Sequence, residues 1–238
     1  MGKKCVLAVV ATLLLSSACA KNYYSIYYKD MTGGEDFVND SAYTIPVTHP
    51  LAYRTSSIER SMEEMPENGY VLVGYSAFNA EKSDEDKAVI LAKSLHASAV
   101  VFYSKSAAGK TTAQEREDAE SFYGEAGSSV PRAVDGYDQF ASFWVKKKPK
   151  LGVLSKTPAM EQQTKIKAVR GVVVSGVVKG SPAFYADIMK GDVVRAIGAD
   201  EISDQKSLKG TVDKFSGRLV EIEVIRDGIP LVKKVRLE

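Results

Sequence analysis

Ser76 is the first residue in this chain whose surroundings suggest covalent chemistry, because it stands in Gly74-Tyr75-Ser76-Ala77-Phe78. A nucleophile elbow needs G-x-S-x-G so that the serine projects from a sharp strand-to-helix turn, and Phe78 replaces the second glycine. A base would have to come from His49, beside Pro50, or His96, at the end of a helical stretch; both suit surface or capping roles. Ala108-Gly109-Lys110-Thr111-Thr112 follows an apolar run, where a phosphate-binding loop would sit. That loop requires G-x-x-x-x-G-K-[ST], and Ser104 occupies the first glycine position. No paired histidines or carboxylates stand at metal-ligand spacing, so no metal and no cofactor is expected. The residues carry no complete catalytic motif. A non-catalytic protein is the leading expectation, and a divergent hydrolase using residues of the first half is the alternative.

Cysteine placement is more informative. Cys5 and Cys19 both fall in the first 20 residues, so the remaining chain can form neither a disulfide nor a cysteine-ligated metal site. Lys3-Lys4, the apolar run Cys5–Leu15 and the small residues Ser16-Ser17-Ala18-Cys19-Ala20 have the order of a signal peptide. The run is too short to cross a hydrocarbon core of roughly 30 Å as a helix. Leu15-Ser16-Ser17-Ala18-Cys19 resembles a bacterial lipobox, which implies lipidation of Cys19. It departs from that pattern in having Ser16 where leucine is usual. The expected location is the bacterial envelope, as an outer-membrane lipoprotein facing the periplasm. Cleavage after Ala20 at the A-x-A site would instead give a soluble periplasmic or secreted protein.

The elements that position any site fall into two halves. Residues 1–145 carry 13 Lys/Arg against 19 Asp/Glu, and residues 146–238 carry 19 against 11, which marks a boundary near 146. The basic half has dispersed lysines without interleaved aromatics, so nucleic acid is not an expected partner. Residues 21–69 are rich in tyrosine and turn formers and read as a tether, with a short helix at Ser57–Met65. Residues 70–148 read as a small α+β domain. Tyr70–Phe78 is a strand, Ala88, Leu91, Ala92 and Leu95 form a helical stripe, and Ala99–Tyr103 is a second strand. That order is a βαβ unit, which implies parallel pairing. Residues 104–133 are a polar loop, and Tyr137–Lys147 is a third strand placing Phe140, Ser142 and Trp144 on one face. Lys146-Lys147-Lys148-Pro149-Lys150 is a short charged junction.

Residues 149–238 give an ordered series. Leu151-Gly152-Val153-Leu154 is a short apolar strand, and Ala159–Val169 is a helix or irregular arm. Gly171–Val178 is a core strand, Gly180-Ser181-Pro182-Ala183 opens a short helix, and Gly191-Asp192-Val193-Val194 leads into a strand. Asp204–Phe215 is a second helix, and Leu219–Arg226, Asp227-Gly228 and Leu231–Leu237 make a hairpin. The spacing Gly171-Val172-Val173-Val174, Val177, Gly180-Ser181-Pro182-Ala183, Ala186, Ile188, Gly191-Asp192-Val193-Val194, Ile197-Gly198, with Leu151-Gly152-Val153 ahead of it, resembles the PDZ domains of bacterial HtrA-type proteases. Asp187 departs from the glycine usual there, and Gly198 stands where asparagine is frequent.

The resemblance implies a partly open β-barrel with two helices and a groove that adds an extended peptide as a strand. The family's carboxylate loop maps onto Leu151, Gly152, Val153 and Leu154, with Lys150 attracting the carboxylate from a distance. Leu208 and Val212, at i and i+4, would face the ligand from the second helix, although each could equally fill the core. The expected partners are peptide or protein C-termini and, through Cys19, a membrane. The chain would act as an adaptor or scaffold; a structural lipoprotein with an occluded groove is a further alternative.

Overall fold

The computed structural model of the chain describes residues 21–46, 48–80, 84–106, 136–155 and 171–238. The N-terminal run with Cys19, the Gly109-Lys110-Thr111 stretch and the arm at Ala159–Val169 lie outside the described residues. The first half comprises α1 (Tyr23–Ile26), β1 (Tyr28–Asp30), β2 (Tyr43–Thr44), β3 (Leu51–Arg54), α2 (Ile58–Glu67), β4 (Tyr70–Ala80), α3 (Glu85–Ser94), β5 (Ala99–Ser106) and β6 (Tyr137–Lys147). Its strands form one sheet in the order β1-β4-β6-β5-β3, with β2 also paired to β6.

The expected strand–helix–strand order is present, but β4 and β5 do not pair with each other. β6 lies between them, antiparallel to both, and the parallel partner of β5 is β3. The reason lies in β6 itself. Its residues from Asp138 to Val145 are buried, which demands cover on both faces and a neighbour on both edges. Ala141, Phe143 and Val145 pack with Val73, Val100 and the α3 stripe of Ala88, Leu91 and Ala92. On the opposite face Trp144 meets Met65 of α2, Ala99 and Val101. Trp144 Nε1 donates to Ser142 Oγ at 2.8 Å, so these two residues share a face as their alternation requires.

Residues 21–69 are not a tether. They supply α1, α2 and β1–β3 to the sheet and bury Tyr24 and Tyr43. The tyrosines do the packing that aliphatic residues do elsewhere. Tyr24 meets Phe78 edge-on at 4.8 Å, Tyr27 stacks on Phe78 at 5.8 Å, and Tyr28 meets Phe143 at 5.8 Å. α2 begins at the Ser57 cap, whose Oγ accepts from Arg60 N–H at 3.1 Å, and runs two residues past the expected end.

The second half contains β7 (Val153–Ser155), β8 (Val172–Val177), α4 (Pro182–Tyr185), β9 (Val193–Ile197), β10 (Asp200–Glu201), α5 (Gln205–Lys214), β11 (Leu219–Arg226) and β12 (Ile229–Arg236). The sheet order is β12-β11-β9-β8-β7, antiparallel throughout, with β10 on β9. Among the described residues no pairing of β7 with β12 closes it into a barrel. Alternate residues of β8, β9 and β11, including Val174, Val194, Ile222 and Val224, meet Leu208 and Val212 of α5 in one core. Local chemistry sets the turns. Ser181 caps α4 with Pro182 in its first turn, Asp204 and Ser207 form a capping box on α5, and Asp187 and Asp227 take positive φ of 57° and 51°.

The halves meet at the end of α2. Lys179 N–H donates to Glu67 O at 2.8 Å, Lys148 N–H donates to Ala42 O at 2.8 Å, and Lys146 Nζ reaches Asn68 O. Gly69 takes a φ of 77° and lies so close that an added Cβ would sit 3.3 Å from Val178 Cγ1.

Candidate functional site

The segment before β7 is anchored through its carbonyl groups. The oxygens of Lys150, Leu151 and Gly152 accept from the N–H groups of Glu238 (3.0 Å), Ala183 (2.8 Å) and Val178 (2.8 Å). In a trans peptide the following N–H points opposite to the carbonyl. The N–H groups of Leu151, Gly152 and Val153 therefore face away from these partners, and successive outward amides make a concavity suited to an anion. Gly152 holds this path at a φ of 86°, and its missing Cβ leaves room for Ser181, whose side chain would otherwise overlap it.

β7 stands at one end of the sheet order. The Val178–Gly152 bond sets the phase of the ladder. By antiparallel alternation Leu154 pairs with Gly176, and Val153 turns its N–H and C=O to the open edge. Across from that edge runs α5. Leu208 and Val212, one helical turn apart, are 7% and 9% exposed and belong to the core as well as to the facing wall. Between them lies a cavity of about 780 Å³. Lys150, Leu151, Gly152, Val153, Leu208 and Val212 all border it, as do Lys147, Lys148, Glu35 and Asp40.

Two expected site residues need correction. Leu154 does not border the cavity, because the pleat turns it to the other side of β7 from Val153 and towards Gly176. Lys150 does border it, but its Nζ is ion-paired with Asp213 at 2.7 Å, so its charge is partly offset before any ligand arrives. Both partners are about half exposed, and such a pair contributes little to stability.

Two contributors gave no sequence signal, or a misplaced one. Gln205, at the start of α5, reaches across the groove and donates from Nε2 to Ser155 O at 3.0 Å; a glutamine at a helix start carries no distinctive pattern. Asp192 had a visible signal in Gly191-Asp192 but reads there only as a turn. Its side chain is 1% exposed; Arg226 Nε and Nη2 donate to it at 2.8 and 2.9 Å, and Met189 N–H donates at 2.8 Å. Burial pushes the Asp192 carboxyl up, but the donors from Arg226 and Met189 outweigh it and hold it below the ordinary range. The bridge ties β11 to the turn before β9.

The other candidates are placed apart from this groove. Ser76 is fully buried and donates to Tyr24 O at 2.7 Å, and Gly74 leaves space for the Tyr28 ring rather than for a substrate. His49 and His96 are exposed. Among the described residues no helix is long and apolar enough to cross a membrane.

Residues 149–237 match the model of the PDZ domain family. The HtrA3 PDZ domain bound to a phage-derived ligand (FGRWV) is 22% identical, with a TM-score of 0.34, over 38% of this chain and 86% of its own. The HtrA-type protease AlgW with a decapeptide is 23% identical, with a TM-score of 0.33, over 41% of this chain. AlgW with a tripeptide is 22% identical at 0.33 over 40%. The matches span only 37% and 39% of those two protease chains. No curated protein matches the chain. The segment whose glycines and valines first set it apart, residues 149–237, is a PDZ domain.

Proposed function

We propose that the groove between β7 and α5 captures the C-terminus or an extended stretch of another protein, and that the chain is a non-catalytic adaptor or scaffold of the cell envelope. The observation that carries this is the open edge of β7 facing Leu208 and Val212 across one cavity that begins at the outward amides of Leu151, Gly152 and Val153. An incoming strand would bond to the Val153 edge, place its carboxylate on the amides and bury its last side chain among Leu151, Val153, Leu208 and Val212. The apolar pocket favours Val, Ala, Leu or Phe at the last position. Placement at the envelope rests on the N-terminal signal pattern, and anchoring to a membrane on Cys19.

A C-terminal peptide library titrated against the full chain tests the reading. Binding should select apolar last residues, and Leu208→Lys should weaken it by about a hundredfold or more, since a lysine there must desolvate its charge or fill the groove. Absence of binding by the wild type would instead favour the occluded, structural alternative. The hydrolase alternative, which draws on residues of the first half, gains no support from Ser76, whose hydroxyl is buried and donates to Tyr24 O.

Gln205 supplies a second test. Its bond to Ser155 O occupies an acceptor that an added strand needs. Gln205→Ala should tighten binding of peptides of five or more residues by up to about tenfold, the worth of one exchanged hydrogen bond. Two-residue peptides, which end opposite Leu154 and do not reach Ser155, should bind unchanged by isothermal calorimetry. A weaker complex with long peptides would make Gln205 a ligand contact.

A further inference from the structure

A second cavity, of about 570 Å³, lies where α2 and the β3–β5 side of the first sheet meet the turn after β8. Its size suits a small molecule. Tyr53, Arg54, Tyr70, Lys146 and Glu64 come from the first half, and Lys179 comes from the PDZ domain. Three cations thus face one carboxylate. The two lysines are held by neutral oxygens of a single residue: Lys146 Nζ bonds Asn68 O and sits 4.5 Å over the Tyr70 ring, and Lys179 Nζ lies 3.4 Å from Asn68 Oδ1. Among the described residues neither has an ion-pair partner. Arg54 pairs with Glu85 at 3.0 Å but is 81% exposed, so little desolvation opposes its turning to another anion.

Two lysines gathered at Asn68 without an ion-pair partner among the described residues leave a place for a ligand's negative charge. The remaining groups narrow the class. Tyr53 and Tyr70 offer ring surface. Glu64 is an acceptor that would repel a ligand carrying charge all over, but it suits one presenting hydroxyl donors. We propose that this cavity binds a carboxylated sugar ring, with the carboxylate between Lys146 and Lys179 and the ring against the tyrosines. The site is complete only when the PDZ domain is docked, because Lys179 belongs to that half. The proposal does not depend on peptide capture.

The test titrates glucuronic acid, with glucose and inorganic phosphate as controls, into the isotopically labelled full chain and follows backbone amide shifts. Glucuronic acid should move the amides of Tyr53, Asn68 and Lys179, with glucose and phosphate each binding about tenfold more weakly or worse. Lys179→Met, at an exposed position, should weaken glucuronic acid about tenfold without altering the melting curve. Tyr53→Ala, which removes ring surface and no charge, should weaken it as well. The proposal is overturned if glucuronic acid leaves these amides unmoved, if phosphate binds as tightly, or if both variants bind like the wild type.

Discussion

Arg226→Met should lower the unfolding free energy by about 3–5 kcal/mol, the cost of leaving a buried carboxylate without its cation. Asp192 is 1% exposed and receives two bonds from the guanidinium. After the substitution only Met189 N–H remains to it. Urea denaturation of the two proteins at neutral pH measures the difference. Arg195→Met provides the contrast. That residue faces Glu223 at 3.5 Å, with the arginine exposed and the glutamate partly so, and its loss should cost under about 1 kcal/mol.

The pH dependence follows from the sign of the shift. In the wild type the folded Asp192 carboxyl lies below its ordinary value near 3.8. Its contribution is fully present above that value and is lost as pH falls through the lower folded one. In Arg226→Met, burial is opposed only by the Met189 N–H and the nearby Lys233 charge, so the folded carboxyl lies higher than in the wild type. That variant thus loses less stability than the wild type as pH falls. The gap between the two proteins should therefore be widest near neutrality and close towards pH 3. A gap independent of pH would mean that Arg226 contributes through packing rather than through Asp192.

The parts of the fold that a reader of the sequence could see are those set by neighbours in the chain. Ser181-Pro182 starts a helix, Asp227-Gly228 turns a hairpin, and Asp187 takes the positive φ that a glycine would. Each is decided within about four residues, so spacing alone reveals it. The order β4-β6-β5 is different, because it depends on which strand most needs cover on both faces, and β6 lies far along the chain from either neighbour. β1, β2 and β3 are two to four residues long, too short to display a period, and tyrosines supply their packing. The candidate groove shows the same division. Leu208 and Val212 share a face by helical spacing, and Gly152 is marked by its place in the Leu-Gly-Val motif. The Lys150–Asp213 pair and the Gln205–Ser155 bond join residues 63 and 50 positions apart and left no trace.

Gly152→Ala is the substitution in which fold and groove are most tightly linked, and both should suffer. A φ of 86° costs an alanine about 1–2 kcal/mol. Its Cβ would also overlap the side chain of Ser181, whose Oγ accepts from Phe184 N–H at 3.3 Å to cap α4, and forcing that contact adds about 1–3 kcal/mol. Peptide affinity should fall at least about tenfold, because relaxing the strain rotates the peptide units whose amides meet the carboxylate. Adding Ser181→Gly separates the two effects. It removes the overlap but not the unfavourable φ, so melting should recover part of the lost stability while peptide affinity stays low. If affinity returned together with stability, the loss would have come from a loosened domain, and the outward amides of Leu151–Val153 would not be the carboxylate site.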